Sequence, residues 1–146
     1  MFKPEITVAN IIIKDSKYLI VEEETEYGIQ LNQPAGHLEK EESLITAVIR
    51  ETFEETKYIV EPLSLINIYQ WVSQKGTPII RFTFESEVLN YDENAKLDKG
   101  IIRSLWMSEK ELKKNKKILR SPLILKSIED FQSNNKYPLS ILKNYE

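Results

Sequence analysis

The sequence predicts an α+β fold, an α/β/α sandwich, on three observations. Segments dense in β-branched residues fill the first third of the chain. One segment with a 3.6-residue apolar period interrupts them at residues 43–56, and further strand-like segments follow. A last helical segment closes the chain, so strands, helix, strands and helix alternate as in a layered domain. Hydrophobic residues make up 41% and charged residues 29% of 146, a balance that lets the whole chain, 1–146, bury one core as a single domain.

Residues 6–13 predict a buried strand, ended by the polar turn Lys14-Asp15-Ser16-Lys17, and residues 18–23 predict its hairpin partner. A charged stretch then leads through Tyr27-Gly28 to a short strand at 29–31. Gln33-Pro34-Ala35-Gly36-His37 is a Pro/Gly loop with no helical character. In the helix at 43–56, Ile45, Val48, Ile49 and Phe53 share a face that is expected to anchor it on a sheet. Strands are expected at 63–72 and 78–88, joined by the turn Gln74-Lys75-Gly76-Thr77, and another at 103–107. Ser108 with Glu111 matches a capping box. Ser121-Pro122 matches an N-cap with proline at the first helical position, opening a closing helix that carries Leu125, Ile128 and Phe131.

The net charge of −3 points away from nucleic acid as a main partner, because phosphate backbones are held by basic surfaces. Phosphates can still bind where a metal ion supplies positive charge. With no cysteine there is neither a disulfide nor a thiolate metal site. The N-terminus lacks the pattern of a signal peptide, and no segment is apolar over the length of a membrane span. A cytoplasmic protein is expected, a monomer by default, with a small molecule and not a membrane as its partner.

The chemistry concentrates in residues 36–58. Glu51, Glu54 and Glu55 stand at i, i+3 and i+4, so their carboxylates project from one helical face, roughly opposite the Ile45, Ile49 and Phe53 stripe. Like charges at that spacing repel, and a dication among them removes the cost. Oxygen donors without cysteine suit a hard ion, Mg2+ or Mn2+. Alone, such a cluster also describes a solvated acidic face.

The spacing Gly36, five residues, Glu42, seven residues, Arg50-Glu51, two residues, Glu54-Glu55 resembles the box of the Nudix hydrolases. The resemblance implies the Nudix fold, with a mixed central β-sheet and flanking helices, and hydrolysis of phosphoanhydrides. It implies Glu51, Glu54 and Glu55 as metal ligands, with the Ala35 carbonyl as a further one, and Arg50 as the group that orients a glutamate. Glu42 falls at the start of the helix, where negative charge favours the helix dipole. Two positions depart from the family pattern. Thr52 replaces a large aliphatic residue, and Lys57 replaces the glycine that ends the box, at a cost on the order of 1 kcal/mol or a reshaped helix end.

Further segments spread along the chain, among them Asn32-Gln33-Pro34-Ala35-Gly36-His37, Gln70-Trp71 and Arg120-Ser121-Pro122-Leu123, resemble one phosphatase subgroup of that family, with Leu31 where that subgroup carries tryptophan. This likeness implies Mg2+-dependent release of orthophosphate from nucleoside di- and triphosphates and thiamine-type pyrophosphates. The general base is either a box glutamate (Glu54 or Glu55) or Asp98 from a loop. Gly36 and His37 are placed to meet phosphate, with a structural hydrogen bond as the other role for His37. Arg81 pairs either with phosphate or with a strand-edge carboxylate, and Trp71 and Tyr69 either stack on a substrate ring or pack. Ser121 either meets substrate or only caps. The rival functions are release of pyrophosphate from nucleoside triphosphates, a non-catalytic nucleotide-binding module, and hydrolysis of RNA 5′ ends.

Overall fold

The computed structural model describes residues 1–145. Its chain begins with β1 (Glu5–Ile11), β2 (Ile13–Lys14) and β3 (Lys17–Thr25). Asp15 and Ser16, in the predicted polar turn, take φ of 51° and 64° and fold β3 back onto β2. β4 (Gly28–Asn32), β5 (Ala35–His37) and α1 (Leu44–Thr56) follow, then β6 (Tyr58–Val72), β7 (Pro78–Tyr91) and β8 (Ile101–Met107). Two helices close the fold, α2 (Glu109–Lys114) and α3 (Leu123–Gln132).

One sheet has the order β5-β1-β7-β6 and is mixed: β1 runs parallel to β7, while β5 and β6 pair antiparallel with their neighbours. In the second sheet β3 is central, with β4 and β2 along one edge and β8 along the other, all antiparallel. α1 packs through Ala47 and Val48 against Val8, Leu65 and Phe84 of the mixed sheet. A second cluster joins Ile11, Ile20, Leu31 and Ile66 to Leu112 of α2 and to Ile124 and Ile128 of α3. Helices therefore cover both sides, which is the expected α/β/α layering with a mixed sheet.

Five expectations need correction. The strand expected at 6–13 is split, and its main part, β1, lies in the mixed sheet between β5 and β7, so only Ile13–Lys14 forms the hairpin with β3. The Pro/Gly loop is partly a strand, since Ala35–His37 pairs with β1. β6 begins at Tyr58 because Lys57, at φ 67°, turns the chain straight from helix into strand, and register shifts on either side of Pro62 carry that missing donor. β7 and β8 are longer than expected by a few residues. The anchoring face of α1 is rotated: Val48, Thr52 and Thr56 are buried, while Ile45, Ile49 and Phe53 lie half-buried on its flank. The Thr52 and Thr56 hydroxyls donate to the carbonyls of Val48 and Thr52 at 2.7 and 2.6 Å. With their hydroxyls satisfied inside the helix, both residues pack as small apolar groups.

The capping box follows the sequence, while α3 has Pro122 and not Ser121 in its cap position. Ser43 Oγ accepts from Thr46 N at 3.0 Å. Lys57 ends α1 in the left-handed conformation and donates its N–H to Phe53 O at 2.8 Å, so lysine keeps the glycine geometry. Ser108 and Glu111 form the reciprocal capping box, and Ser121 Oγ accepts from Leu123 N at 2.9 Å behind Pro122.

Candidate active site

Strand β5 carries the site because it lies at the sheet edge next to α1. Val8 and Gly36 are opposite each other, and Asn10 N donates to Pro34 O at 2.9 Å. In that alternation Ala35 turns its N–H and carbonyl away from β1. Its N–H donates to Glu55 Oε1 at 2.9 Å, which leaves the Ala35 carbonyl on the same side as a Glu55 oxygen. Gly36 follows beneath α1. A Cβ there would lie 2.1 Å from Glu51 Cδ and 2.2 and 2.4 Å from its two oxygens. Glycine is thus required for the Glu51 carboxylate to reach the strand.

Arg50 braces the opposite side. Its Nε and Nη2 donate to the two Glu42 oxygens at 2.6 and 2.9 Å, a bidentate pair. Nη1 donates to Glu51 Oε1 at 2.8 Å and reaches Glu54 Oε2 at 3.3 Å, while Nη2 also bonds His37 O at 3.1 Å. One guanidinium therefore ties the loop after β5 to the acidic face. Its hydrogen bonds to Glu42 and Glu51 hold the arginine firmly protonated, and those from Arg50 push Glu42 below the usual carboxylate range. Glu42 is spent on Arg50 more than on the helix dipole.

Asp98 is brought to this face as the loop reading anticipated. Its N–H donates to Glu54 O at 3.0 Å, and its carboxylate adjoins that of Glu54. Burial raises the pKa of Glu54 first, and the neighbouring Asp98 charge raises it further. Burial also raises Glu51, against the pull of Arg50. Glu55 is raised well above the usual range by burial, with the Ala35 N–H opposing and Glu23 and Glu51 adding repulsion.

Glu51 and Glu55 edge a cleft of about 760 Å³ between the two sheets, while Glu54 and Asp98 are not among its lining residues. Glu51, Glu55, Ala35 and Gly36 form one wall, and Thr7, Arg81 and Ser121 belong to its buried interior. Tyr27 and Trp71 stand on the β3–β4 and β6–β7 hairpins at its rim, where Glu26 pairs with Lys75 across the opening.

The remaining candidates divide. His37 lines the cleft, and its Nε2 lies 2.7 Å from Glu5 Oε2 in an exposed hydrogen bond, the structural role the sequence also offered. Arg81 sits in the interior strand β7, not at a sheet edge, and makes no ion pair among the described residues. Tyr69 gives its hydroxyl to Asp130, away from the cleft. Leu31, which stands where the resembling subgroup carries tryptophan, is buried in the core beside Ile20 and Ile124. Arg120 and Tyr27 were not singled out as site residues in the sequence. They reach the cleft from other elements, and Glu23 holds Arg120 from behind it.

The donor chemistry fits a hard dication. Three carboxylates with pKa values raised by burial, and a backbone carbonyl turned toward one of them, present oxygen ligands whose charge is poorly compensated. Among the described residues no three acidic or imidazole groups yet converge as a ready-made metal cluster. Arg50 draws Glu51 and Glu54 to itself, and the Ala35 N–H holds Glu55.

A NUDIX domain is matched by residues 3–126. The chain belongs to the Nudix family. This Nudix protein is 39% identical over 145 residues to phosphatase NudJ of Shigella boydii, covering 99% of this chain and 94% of that one. It is 38% identical, with the same coverage, to phosphatase NudJ of Escherichia coli K12. It is also similar to the solved structure of a NUDIX hydrolase from Nitrosomonas europaea, with a TM-score of 0.95, 46% identity and 98% of each chain covered. As a Nudix hydrolase it acts on phosphorus-containing anhydrides. Among the described residues no helix is long and apolar enough to cross a membrane.

Proposed function

We propose that this Nudix hydrolase is a Mg2+-dependent phosphohydrolase that removes orthophosphate from nucleoside di- and triphosphates and thiamine-type pyrophosphates. The observation that carries the site is the Glu51 carboxylate seated on Gly36 next to Glu55, at the wall of a polar cleft. The phosphatase NudJ name of relatives at 38% and 39% identity supports orthophosphate as the product.

In this reading Glu51, Glu54, Glu55 and the Ala35 carbonyl hold Mg2+, with Mn2+ as a substitute of the same ligand preference. Bound there, the ion supplies charge neutralisation at the anhydride oxygens and acidifies a water molecule. Arg50 keeps Glu51 and Glu54 in place and touches no substrate. The proton of the attacking water is taken by a box glutamate or by Asp98, which adjoins Glu54. Gly36 lets the phosphate chain approach the backbone, and His37, Trp71 and Arg81 line its path.

The test is release of orthophosphate and pyrophosphate from GTP, GDP and thiamine pyrophosphate, with and without Mg2+. Metal-dependent orthophosphate is expected, and Glu54→Gln should lower turnover at least about 100-fold, the scale of losing a preorganised charge. Pyrophosphate as the main product would replace this reading with a pyrophosphohydrolase. No release from any substrate would leave a nucleotide-binding module.

A further inference from the structure

Arg81 is the unexplained charge of the cleft. It is 7% exposed, on an interior strand, and its Nη1 has no hydrogen-bond partner. Its Nε reaches only Thr7 Oγ1, at 3.5 Å. Buried arginines are ordinarily paired, because an uncompensated charge away from water is costly. Here burial and the nearby Arg120 pull its pKa down to about 10 against the Glu55 and Glu23 carboxylates, neither of which bonds it, so it stays charged at neutral pH. Arg120 is itself held by Glu23 at 2.6 Å, and Ser121, 2% exposed, adds a hydroxyl to the same interior. Two guanidinium groups and a buried hydroxyl, with one arginine nitrogen unpartnered, describe a place for an anion.

Position decides which anion. Tyr27, 50% exposed, and Trp71 mark the rim, while Arg81 and Ser121 mark the interior. A ring-bearing substrate therefore enters phosphates first, and the group that reaches a buried arginine must be the end of the chain. We infer that Arg81, Arg120 and Ser121 form a terminal-phosphate subsite that sets the outermost anhydride bond against the carboxylate wall. This rests on the phosphohydrolase reading and deepens it, because it supplies a reason for orthophosphate as product. The water oxygen bonds to the terminal phosphorus, the bond from that phosphorus to the bridging oxygen breaks, and the electron pair leaves on the shortened substrate. The water proton passes to a carboxylate of that wall and then to solvent, and orthophosphate stays on the arginines until released.

The experiment is calorimetric titration of the full chain with inorganic phosphate, with and without Mg2+, at constant ionic strength. Wild-type protein and Glu54→Gln should bind phosphate in metal-free buffer, and Arg81→Met should bind at least ten-fold more weakly in both buffers. Without phosphate, Arg81→Met should melt no lower than wild type, since it removes a buried unpaired charge. If Arg81→Met fails to fold, Arg120→Gln and Ser121→Ala carry the test and should each weaken phosphate binding several-fold. Product analysis with a nucleoside triphosphate should show Arg81→Met losing orthophosphate release in favour of pyrophosphate. Equal phosphate affinity in wild type and these variants, or no binding to wild type, overturns the subsite. Binding that depends on Arg81 in a protein without hydrolytic activity would keep the subsite and overturn only the enzymatic reading.

Discussion

Replacing Gly36 by alanine separates the site from the fold, because the three atoms nearest the added carbon all belong to one functional group. The new Cβ would stand 2.1 Å from Glu51 Cδ, and an ordinary contact begins at 3.4 Å, so the carboxylate must retreat by about 1.3 Å. Gly36 has no positive φ, so alanine is free of backbone strain there. The obstacle is the tip of a flexible side chain, and the retreat costs stability little. The site is less tolerant: metal ligands are held to about 0.2 Å, and a misplacement of about 1 Å costs on the order of 100-fold in rate. Gly36→Ala should therefore lower kcat/KM about 100-fold, or about 2.7 kcal/mol of transition-state stabilisation. The Mg2+ concentration for half-maximal activity should rise, while the melting temperature stays within a few degrees of wild type. Phosphate release as a function of Mg2+, together with thermal denaturation of the same preparation, measures both. Full activity at wild-type Mg2+ levels would refute the claim that Glu51 works from its seat on Gly36.

Three further outcomes follow from the helix and its charges. Lys57→Gly should raise stability by up to about 1 kcal/mol in urea denaturation without changing turnover, because lysine holds φ 67° against its steric preference; no gain would mean that its side chain compensates. Thr52→Val removes the acceptor of the Asn10 side-chain amide, 2.9 Å away, whose oxygen already lacks a partner, and should cost about 1–3 kcal/mol; unchanged stability would mean that this buried amide finds another partner. Glu51, Glu54 and Glu55 have raised folded-state pKa values, so the folded metal-free protein holds more protons than the unfolded chain between the ordinary glutamate range and those values. Metal-free stability should fall as pH rises through that window, and Mg2+ binding should release protons and tighten with pH; calorimetry in buffers of different ionisation enthalpy that finds no proton release would count against these carboxylates as ligands.

How much was legible depended on whether the signal was local. The helix over α1, the capping box at Ser108 and the turn at Asp15-Ser16 rest on neighbours within four residues, and all were written in the chain. The spacing of Gly36, Arg50, Glu51, Glu54 and Glu55 is local too, which is why family and reaction class could be read before any coordinates. The face on which α1 rests was misread from periodicity, since Thr52 and Thr56 become buried only through hydrogen bonds and an Asn10 partner 42 residues from Thr52. Leu31 could be placed in the core, and not at the substrate, only once the sheets packed.

The sequence by itself therefore determined the acidic helix, the glycine before it and the class of chemistry they serve, because backbone hydrogen bonding and side-chain period act over a few residues. Tertiary structure alone decided how the cleft is built. It set Arg81 beside Thr7 across a parallel strand pair, brought Arg120 within 2.6 Å of Glu23, and joined Glu26 to Lys75 across the opening. Those contacts span roughly 50 to 100 residues of chain, and their energies come from burial and charge that exist only after the layers close.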